Sequence, residues 1–249
     1  MASNDVIRWG ILATGRIARS FADNLLEVPG AEIAAVGSRS QESAEAFAEP
    51  YGARAHASYA SLVADPDVDV VYIATPHSFH LDNARMAFAA GKHVLCEKPL
   101  TLNLPEAEAM VDAAREAGLF LMEAMWMACH PVIRAVGEGL REGRYGEPRQ
   151  AHASIGFAVP PDASTRMSDP ALGAGALLDM GIYPLTFAHL VLGPADELVA
   201  TAVVNDDGVD VDIAIAGRHG GAVSALTASM SSAPSRTAWV ATTTGRLDV

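Results

Sequence analysis

The first half of the chain alternates apolar runs with stretches in which apolar residues recur every three or four positions. Runs rich in β-branched residues predict buried strands, and the longer spacing predicts helices that pack against them. The predicted strands cover residues 6–13, 31–38, 69–74, 94–96 and 119–124. One helix is predicted over the segment that contains Ile17, Phe21 and Leu25. Further helices are predicted at residues 41–48, 79–90 and 105–117. Strands that alternate with helices indicate βαβ units and a parallel sheet.

After about Trp126 the apolar residues follow a period of two. Val209, Val211, Ile213 and Ile215 alternate with aspartate and alanine. Such alternation predicts a strand of an antiparallel sheet with one buried face and one more open face. Its predicted partners are residues 198–204 and 223–230, across turns at 206–208 and 220–221. An apolar stretch at 174–192, ended by Gly193-Pro194, predicts the helix that precedes this sheet.

Composition and charge exclude several classes of protein. Half of the 249 residues are hydrophobic, which excludes a disordered chain and favours a globular one. We expect no membrane span, because no apolar run approaches the length of one, and no secretory signal, because Met1–Asp5 is short and polar. The net charge of −13 argues against nucleic acids and anionic membranes as partners. Cys96 and Cys129 lie in apolar segments, which predicts a reduced, cytoplasmic protein.

The loop after the first predicted strand carries a glycine pattern typical of dinucleotide sites. Ala13-Thr14-Gly15-Arg16-Ile17-Ala18 fits G-x-G-x-x-A with alanine in the first position, and it precedes a predicted helix. Gly15 lets the backbone approach a pyrophosphate, and the helix N-terminus offers free N–H groups and the positive end of a dipole. The alternative is a tight turn in another doubly wound protein. We therefore predict that residues 13–17 bind a dinucleotide.

The end of the second predicted strand indicates which dinucleotide is bound. An NAD site usually has Asp or Glu here to bind the ribose hydroxyls. This chain has Ser38-Arg39 instead, and the first carboxylate after them is Glu42. Arg39 can pair with a 2′-phosphate and Ser38 can donate a hydrogen bond to it. The pattern favours NADP over NAD, with an ordinary exposed loop arginine as the alternative.

One lysine is a candidate for the chemistry. The chain has 17 Lys and Arg residues, and only Lys92 and Lys98 are lysines. An ammonium group can change its protonation state, whereas a guanidinium stays charged. Lys98 follows the apolar run Val94–Cys96, within Glu97-Lys98-Pro99, and therefore lies at the carboxyl end of a predicted strand. We interpret it as a catalytic candidate, with a solvated side chain as the alternative.

Five segments together resemble the Gfo/Idh/MocA oxidoreductases, and MEAMW at 122–126 also matches. They are WGILATGRIA at 9–18, GSRS at 37–40, ATPHSFH at 74–80, GKHVLCEKPL at 91–100 and GAGALLDMGIYPL at 173–185. The branch resembled contains dimeric dihydrodiol dehydrogenases and NADP-dependent aldose dehydrogenases. The resemblance implies an α/β protein with a Rossmann domain at 1–124, which is a doubly wound parallel sheet. It also implies a C-terminal α/β domain with an open, mostly antiparallel sheet at 125–249, and a homodimer or higher homo-oligomer.

The resemblance also implies which residues take part in the reaction. It places Lys98 and Tyr183 beside the substrate and the nicotinamide. We expect Tyr183 to remove a hydroxyl proton as hydride leaves for C4 of the nicotinamide, because a nearby ammonium stabilises a phenolate. The alternative assigns proton transfer to Lys98, with Tyr183 only orienting the substrate. Asp179 is four residues before Tyr183 and shares its helix face, so we expect both to contact the substrate and Asp179 to be the third catalytic residue, with a polar stripe of the helix as the alternative.

Further contacts are expected around these residues. At the carboxyl edge of the first sheet, the expected cofactor residues are Ala74, Thr75, Pro76, His77, His80, Glu97 and Trp126. Core packing is the alternative for Trp126. The resemblance places Phe157 and Arg166 in the substrate cleft, where the arginine holds a sugar hydroxyl or forms a salt bridge between the domains. No metal site is expected, because His77 and His80 have no third convergent ligand in the pattern.

Three departures from the family pattern have consequences. Ala13 replaces the usual first glycine, and we expect the loop to absorb this change. Met127-Ala128 replaces a segment in which relatives commonly carry an arginine, which leaves the substrate open. The chain ends at Val249, where the family has further strands, so we expect a fragment or a shortened variant with an exposed sheet edge.

Two functions fit these features. The first is an NADP-dependent oxidoreductase acting on a hydroxyl of a small-molecule sugar or cyclic diol, such as aldose to lactone or trans-dihydrodiol to catechol. The second is a non-catalytic NADP-binding regulatory protein on the same fold. Lys98 and Tyr183 together favour the enzyme. A methyltransferase-like use of the glycine loop does not explain Ser38-Arg39 or Glu97-Lys98-Pro99.

Overall fold

The structure, a computed structural model, describes residues 6–160 and 165–249. The predicted absence of a signal at Met1–Asp5 therefore lies outside the described residues. The chain forms two compact units, and the division falls between Ala124 and Met125.

The first unit is a six-stranded parallel sheet with the order β3-β2-β1-β4-β5-β6. Its strands are β1 (Ile7–Leu12), β2 (Ala31–Gly37), β3 (Arg54–His56), β4 (Val70–Ile73), β5 (His93–Cys96) and β6 (Leu121–Glu123). Its helices are α1 (Arg16–Leu25), α2 (Gln41–Ala48), α3 (Tyr59–Val63), α4 (His80–Ala89) and α5 (Leu104–Ala117). The predicted α/β class and parallel sheet are confirmed. Only β3 and α3 had no sequence prediction, because elements of three and five residues are too short to show a period.

Both faces of this sheet are covered, which explains the continuous apolar runs. Neighbouring residues alternate between two buried clusters. Ile11 and Tyr72 lie in one cluster, whereas Leu12 and Ile73 lie in the other. Helix α1 buries Ala18, Ala22 and Leu25 at helical spacing.

The chain order places the loops of the predicted site at one edge. From β1 the chain passes to β2 on one side and later to β4 on the other, so β1 and β4 flank the topological switch point. Ligands of open α/β sheets bind outside the carboxyl ends of the strands at such a point. Residues 13–17, 38–39, 74–77 and 97–98 all follow carboxyl ends of strands in this sheet.

The second unit holds a six-stranded mixed sheet with the order β12-β11-β7-β10-β9-β8. Its strands are β7 (Pro148–Gly156), β8 (Glu197–Val204), β9 (Asp210–His219), β10 (Ala222–Ser229), β11 (Thr237–Thr242) and β12 (Arg246–Asp248). Only β7 and β10 pair in parallel, which confirms the mostly antiparallel sheet. The period of two in β9 is also confirmed, because Ile213 and Ile215 are buried while Ala214 and Ala216 are exposed.

Among the described residues of this unit, the α-helices are α6 (Trp126–Cys129), α7 (Pro131–Arg141) and α8 (Ile182–Leu192). The helix predicted at 174–192 begins instead with a π-helical turn, Leu177–Gly181, that continues into α8. Gly175 has φ 146°, and a Cβ atom there would lie 2.1 Å from Oδ1 of Asp210. The other carboxylate oxygen of Asp210 accepts the N–H of Leu177 at 2.7 Å. This close approach sets where the helix begins.

One premise from the sequence was wrong in this region, namely that no apolar run approaches the length of a membrane span. Among the described residues, Pro170–Leu192 is long and apolar enough to cross a membrane by length and composition, with a mean hydropathy of 1.4. In the structure, Ala176, Met180, Phe187, Ala188 and Val191 of this segment belong to the buried core of the second unit. A core helix meets the same length and composition criteria.

Candidate active site

The loop between β1 and α1 offers backbone N–H groups to an anion. Gly15 precedes α1, whose N-terminus has no side-chain cap and no acidic residue in its first turn. Nothing lies within 4 Å of a Cβ atom added at Gly15, so the backbone is open to close approach. Uncapped N–H groups and the helix dipole favour a phosphate group here. Thr14, Arg16 and Ile17, the other predicted residues of this loop, flank Gly15.

Ala13 carries strain in the same loop. Its φ is 85°, and within residues 6–160 and 165–249 it is the one non-glycine residue with a positive φ. The Cβ atom of an L-residue is crowded in this region, at a cost of roughly 1–2 kcal/mol. The loop therefore holds Ala13 in a conformation that suits glycine. The replacement of the usual first glycine is absorbed, as expected, but with this backbone strain.

The loop after β2 matches the requirements of a 2′-phosphate. Ser38 is nearly buried and its N–H donates to the carbonyl of His56 at 3.0 Å, whereas Arg39 is exposed. Ser40 caps α2 by accepting the N–H of Ser43 at 3.2 Å. Residues 38–40 contain no carboxylate that would repel a phosphate.

The segment after β4 divides into residues at the surface and residues in the interior. The N–H of Ala74 donates to the carbonyl of Leu12 at 3.0 Å, and Ala74 and Pro76 are partly exposed. Thr75 is 7% exposed, and its hydroxyl accepts a hydrogen bond from Asn83 at 3.1 Å. His77 is 5% exposed.

His80 lies in the interior of the first unit. Its side chain is fully buried, with Nε2 3.0 Å from the carbonyl oxygen of Thr75 and Nδ1 3.0 Å from that of Pro99. Burial lowers the pKa of His80, and the hydrogen bonds to carbonyl oxygens oppose this effect. The ring has no exposed surface and both nitrogens face backbone carbonyls, and the expected contact of His80 with the cofactor stays a prediction.

The turn after β5 contains Glu97, the partly exposed Lys98 and the buried Pro99, joined by a cis peptide bond between Lys98 and Pro99. The hydroxyl of Tyr72, on the neighbouring strand β4, donates to Oε1 of Glu97. Oε2 of Glu97 accepts the N–H of Lys98 at 3.2 Å. The sequence placed Lys98 at the carboxyl end of a strand, and the structure places it there.

A second carboxylate lies behind this turn. Oε1 of Glu123, the last residue of β6, accepts the N–H of Leu100 at 2.8 Å. Burial raises the pKa of Glu123, the hydrogen bond from Leu100 opposes the rise, and the negative charge of Glu97 adds to it. Burial also raises the pKa of Tyr72, and the adjacent Glu97 adds to that rise. Tyr72 therefore remains a hydroxyl donor to Glu97.

In the second unit, α8 carries Tyr183 and α6 carries Trp126. The indole Nε1–H of Trp126 donates to the hydroxyl oxygen of Tyr183 at 3.0 Å, with the ring centroids 5.8 Å apart. Trp126 is 62% exposed, so the core-packing alternative is wrong.

The substrate residues predicted in this unit form a second contact. Nη1 of Arg166 lies 3.2 Å from Oδ1 of Asp179, in the π-helical turn before α8. Arg166 therefore forms its ion pair within the second unit. Phe157 follows β7, is 36% exposed, and donates its N–H to the carbonyl of Ser229 at 3.1 Å.

Sequence reasoning missed Tyr72 and Glu123. Tyr72 lies in an apolar run. The only sign of its role in the sequence is a hydroxyl group that can reach a carboxylate. Glu123 lies in the matched segment MEAMW, and a carboxylate at the end of a buried strand could have been noticed. Both contacts join residues 25 and 23 positions apart, which a local pattern does not show.

Comparison with protein families gives two matches that together span most of the chain. Residues 7–125 match GFO_IDH_MocA, described as an oxidoreductase family with an NAD-binding Rossmann fold. Residues 133–248 match the GFO/IDH/MocA C-terminal domain.

Curated relatives include two dehydrogenases. The mouse trans-1,2-dihydrobenzene-1,2-diol dehydrogenase is 37% identical over 98% of this chain and 74% of the relative. The NADP(+) D-xylose 1-dehydrogenase of Hypocrea jecorina is 38% identical over 82% of this chain and 59% of the relative. The chain thus spans between about three fifths and three quarters of these proteins.

Among solved structures, a 3-ketoreductase from Actinomadura kijaniata in complex with NADP and TDP-benzene superposes with a TM-score of 0.90 at 35% identity. The match covers 98% of this chain and 76% of the ketoreductase. Two further structures of that ketoreductase carry a replaced tyrosine and a replaced lysine.

Proposed function

Because the chain belongs to the Gfo/Idh/MocA oxidoreductases, we propose that it transfers hydride between NADP and a hydroxyl of a sugar or cyclic diol. An aldose giving its lactone is the first candidate, and a trans-dihydrodiol giving a catechol is the second. Two kinds of group carry the proposal. Groups that can bind anions lie at the ends of β1 and β2, and groups that can transfer or share a proton lie at the end of β5 and on α8.

The first unit has the groups that NADP requires. The open backbone at Gly15 and the uncapped start of α1 would hold the pyrophosphate. Arg39 and Ser38 would hold the 2′-phosphate by charge-assisted hydrogen bonds. We assign the nicotinamide half to the loop at Ala74–His77 and to Glu97 and Lys98.

NADP⁺, when bound, would supply the hydride acceptor, C4 of its nicotinamide. We assign removal of the accompanying hydroxyl proton to Oη of Tyr183. The N–H of Trp126 then stabilises the charge that develops on that oxygen. Lys98 would hydrogen-bond the reacting hydroxyl through Nζ. A positioned base of this kind contributes typically ~10²–10⁴-fold to the rate.

The substrate class rests on the relatives and on the second unit. Relatives named for a dihydrodiol and for D-xylose both act on carbon bearing hydroxyl groups. Arg166 and Asp179 offer paired donors and acceptors that suit neighbouring hydroxyls, and the exposed ring of Phe157 suits an apolar ring face. We propose these three residues as the substrate contacts of residues 125–249.

The test is the formation of NADPH, followed by absorbance over a panel of aldoses and trans-dihydrodiols. We expect turnover with at least one of them, and a Tyr183→Phe variant with kcat at least 100-fold lower. A Tyr183→Phe variant with near-normal kcat assigns proton transfer to Lys98 instead. Tight NADPH binding without turnover on any compound would support the regulatory protein.

Cofactor choice is tested separately. Arg39→Ala removes one charge-assisted contact, worth roughly 1.5–3 kcal/mol, so the Kd for NADPH should rise by about 10- to 100-fold. The Kd for NADH should stay within about twofold, because NADH has no 2′-phosphate. An equal change for both cofactors would exclude Arg39 as the phosphate ligand.

Assembly and location remain proposals. Exposed Val199 and Val203 on β8 and exposed Val223 on β10 lie on the open face of the sheet, and they support a homodimer. The molar mass in solution tests this. A cytoplasmic location stays a prediction from the sequence.

A further inference from the structure

We propose that His80 and Glu123 are positioning residues for Lys98, which they hold through the backbone of the turn that follows it. This inference rests on the proposed function, since it gives Lys98 a part in the reaction. Neither side chain is available to act on a substrate in our assignment. His80 is fully buried, and Glu123 is engaged with Leu100.

His80 joins two loops that follow neighbouring strands. Nε2 lies 3.0 Å from the carbonyl oxygen of Thr75, after β4. Nδ1 lies 3.0 Å from the carbonyl oxygen of Pro99 and 3.3 Å from that of Leu100, after β5. A neutral imidazole carries one N–H, and with that proton on Nδ1 the ring donates to the carbonyls after β5, directly beyond Lys98, while Nε2 lies beside the loop after β4.

Glu123 holds the same turn through another backbone group. Its Oε1 accepts the N–H of Leu100 at 2.8 Å, and it ends the third neighbouring strand, β6. Glu97, itself bound by Tyr72, accepts the N–H of Lys98 at 3.2 Å. The backbone on both sides of Lys98 is thus attached to side chains of three other elements.

The presence of Pro99 explains why side chains, rather than backbone groups, hold this turn. Pro99 has no N–H, so the residue after Lys98 offers no donor that could fix the turn by a backbone hydrogen bond. The remaining polar groups are the carbonyls of Pro99 and Leu100 and the N–H of Leu100. His80 and Glu123 satisfy these three groups. Since a 1 Å misplacement of a reacting group can cost about 10²-fold in rate, this support affects kcat.

The first experiment uses variants that remove or keep a single contact. In His80→Gln the amide reaches the position of Nε2 and the contact to Pro99 is lost, whereas in His80→Asn the amide takes the position of Nδ1. We expect kcat to fall about 10- to 100-fold in His80→Gln, with the KM for NADP unchanged, and to recover in His80→Asn. Glu123→Met should lower kcat similarly, and Glu123→Gln, which keeps the acceptor, should not.

The control changes a histidine at the amino end of β5, the strand that Lys98 follows. His93 begins β5, and its Nδ1 accepts the N–H of Phe120 at 3.0 Å. His93→Gln, which loses the Nδ1 contact as His80→Gln does, should leave kcat within about twofold of the parent enzyme.

A double-variant cycle separates positioning from general support of the fold. If His80 acts through Lys98, then His80→Gln lowers kcat in the parent enzyme and has no further effect in a Lys98→Met background. A fold that is simply weakened would lower kcat in both backgrounds, which would overturn the proposal.

A second readout needs no activity. The chain has only two lysines, so reductive methylation with ¹³C-formaldehyde gives two dimethyl-lysine NMR signals besides the N-terminal amine. Lys92 serves as the internal reference and is assigned with Lys92→Arg. We expect His80→Gln and Glu123→Met to shift or broaden the Lys98 signal while the Lys92 signal stays in place. An unchanged Lys98 signal in both variants would overturn the proposal, even if either variant lowers kcat through its stability.

The outcomes also separate this inference from the proposed function. Parent-like kcat in Lys98→Met contradicts the role of Lys98 in the proposed reaction, and the NMR comparison still decides whether the two side chains hold the lysine. A large loss in Lys98→Met together with additive losses in the cycle leaves the reaction standing and rejects the positioning role.

Discussion

The two lysines of this protein lie at opposite edges of the parallel sheet, and the two edges are built differently. Lys98 follows the carboxyl end of β5, whereas Lys92 precedes its amino end. Lys92 donates to the carbonyls of Asp65 and Val68 at 2.8 and 2.7 Å. At the amino edge, Lys92 donates hydrogen bonds to backbone carbonyls. At the carboxyl edge, other side chains make hydrogen bonds to the backbone around Lys98.

Charges at the amino edge are paired with one another. Arg8 in β1 forms a bidentate contact with Asp69 at 2.7 and 3.0 Å, and the pair lowers the pKa of Asp69. Arg54, which begins β3, contacts Asp65 at 2.9 Å. These contacts close the amino edge and support the fold.

The carboxyl edge instead keeps groups that a ligand can use. It holds the uncapped start of α1, the strained Ala13 and the exposed Arg39. Strain and open donors at one edge are tolerated because the other edge and two covered faces provide the stability. The comparison predicts that substitutions at the carboxyl edge change activity and those at the amino edge change stability.

The largest expected effect is that of Lys98→Met. We expect kcat to fall by ~10²–10⁴-fold, because the reacting hydroxyl loses its ammonium partner, with little change in the midpoint of urea unfolding. Steady-state kinetics and urea titrations measure both quantities. A large loss of stability with intact kcat would reverse the assignment of the two edges.

Asp65 should show the stability role of the amino edge through pH. Although burial raises the pKa of Asp65, hydrogen bonds from Arg54, the N–H of Asp67 and His56 lower it to about 2. The folded value is below that of the unfolded chain, so the stabilisation is present above about pH 4 and is lost as the pH falls towards 2. Between pH 5 and 2 the wild type should lose about 2 kcal/mol more than Asp65→Asn in the free energy of unfolding. Parallel losses in both proteins would contradict this.

Lys92→Met should act on the same edge. It removes the donor of two carbonyls, and we expect a loss of about 1–2 kcal/mol in the free energy of unfolding. At 25 °C kcat should remain within about twofold of the wild type. A loss of activity in the folded variant would mean that the two edges are not independent.

The smallest effect is expected for Ala13→Gly. Relief of the positive φ should stabilise the protein by about 0.5–1 kcal/mol, after allowing for the greater freedom of glycine in the unfolded chain. Gly30→Ala is the matched reverse, since Gly30 has φ 80° and nothing lies within 4 Å of an added Cβ atom. It should destabilise by a similar amount. Urea unfolding of both variants gives the comparison.

Much of the fold could be predicted from local pattern. Apolar runs located β1, β2, β4, β5 and β6, and the period of two located β9 and its partners. Strands β7, β11 and β12 were not predicted, because their burial depends on neighbours far along the chain. The π-helical turn at Leu177–Gly181 was also not predicted, since it depends on Asp210, 33 positions away from Leu177.

The candidate site divides in the same way. The glycine loop, Ser38-Arg39 and Lys98 could be found because each lies within a few residues of a strand end. The full burial of His80 could not be predicted, because its distance from Thr75 in sequence gives no sign of it. The contact between Trp126 and Tyr183 spans 57 positions and could not be read from either segment.

By itself the sequence determined the order of the elements, the parallel sheet and the edge at which the cofactor residues lie. These follow from local periodicity and from the rule that parallel strands place their carboxyl ends together. Only the tertiary structure decided which side chains form hydrogen bonds with the backbone around Lys98. It also decided which hydroxyl Trp126 contacts. Burial and hydrogen bonding between distant segments fix such pairs, because every polar group removed from water requires a partner that the local sequence does not supply.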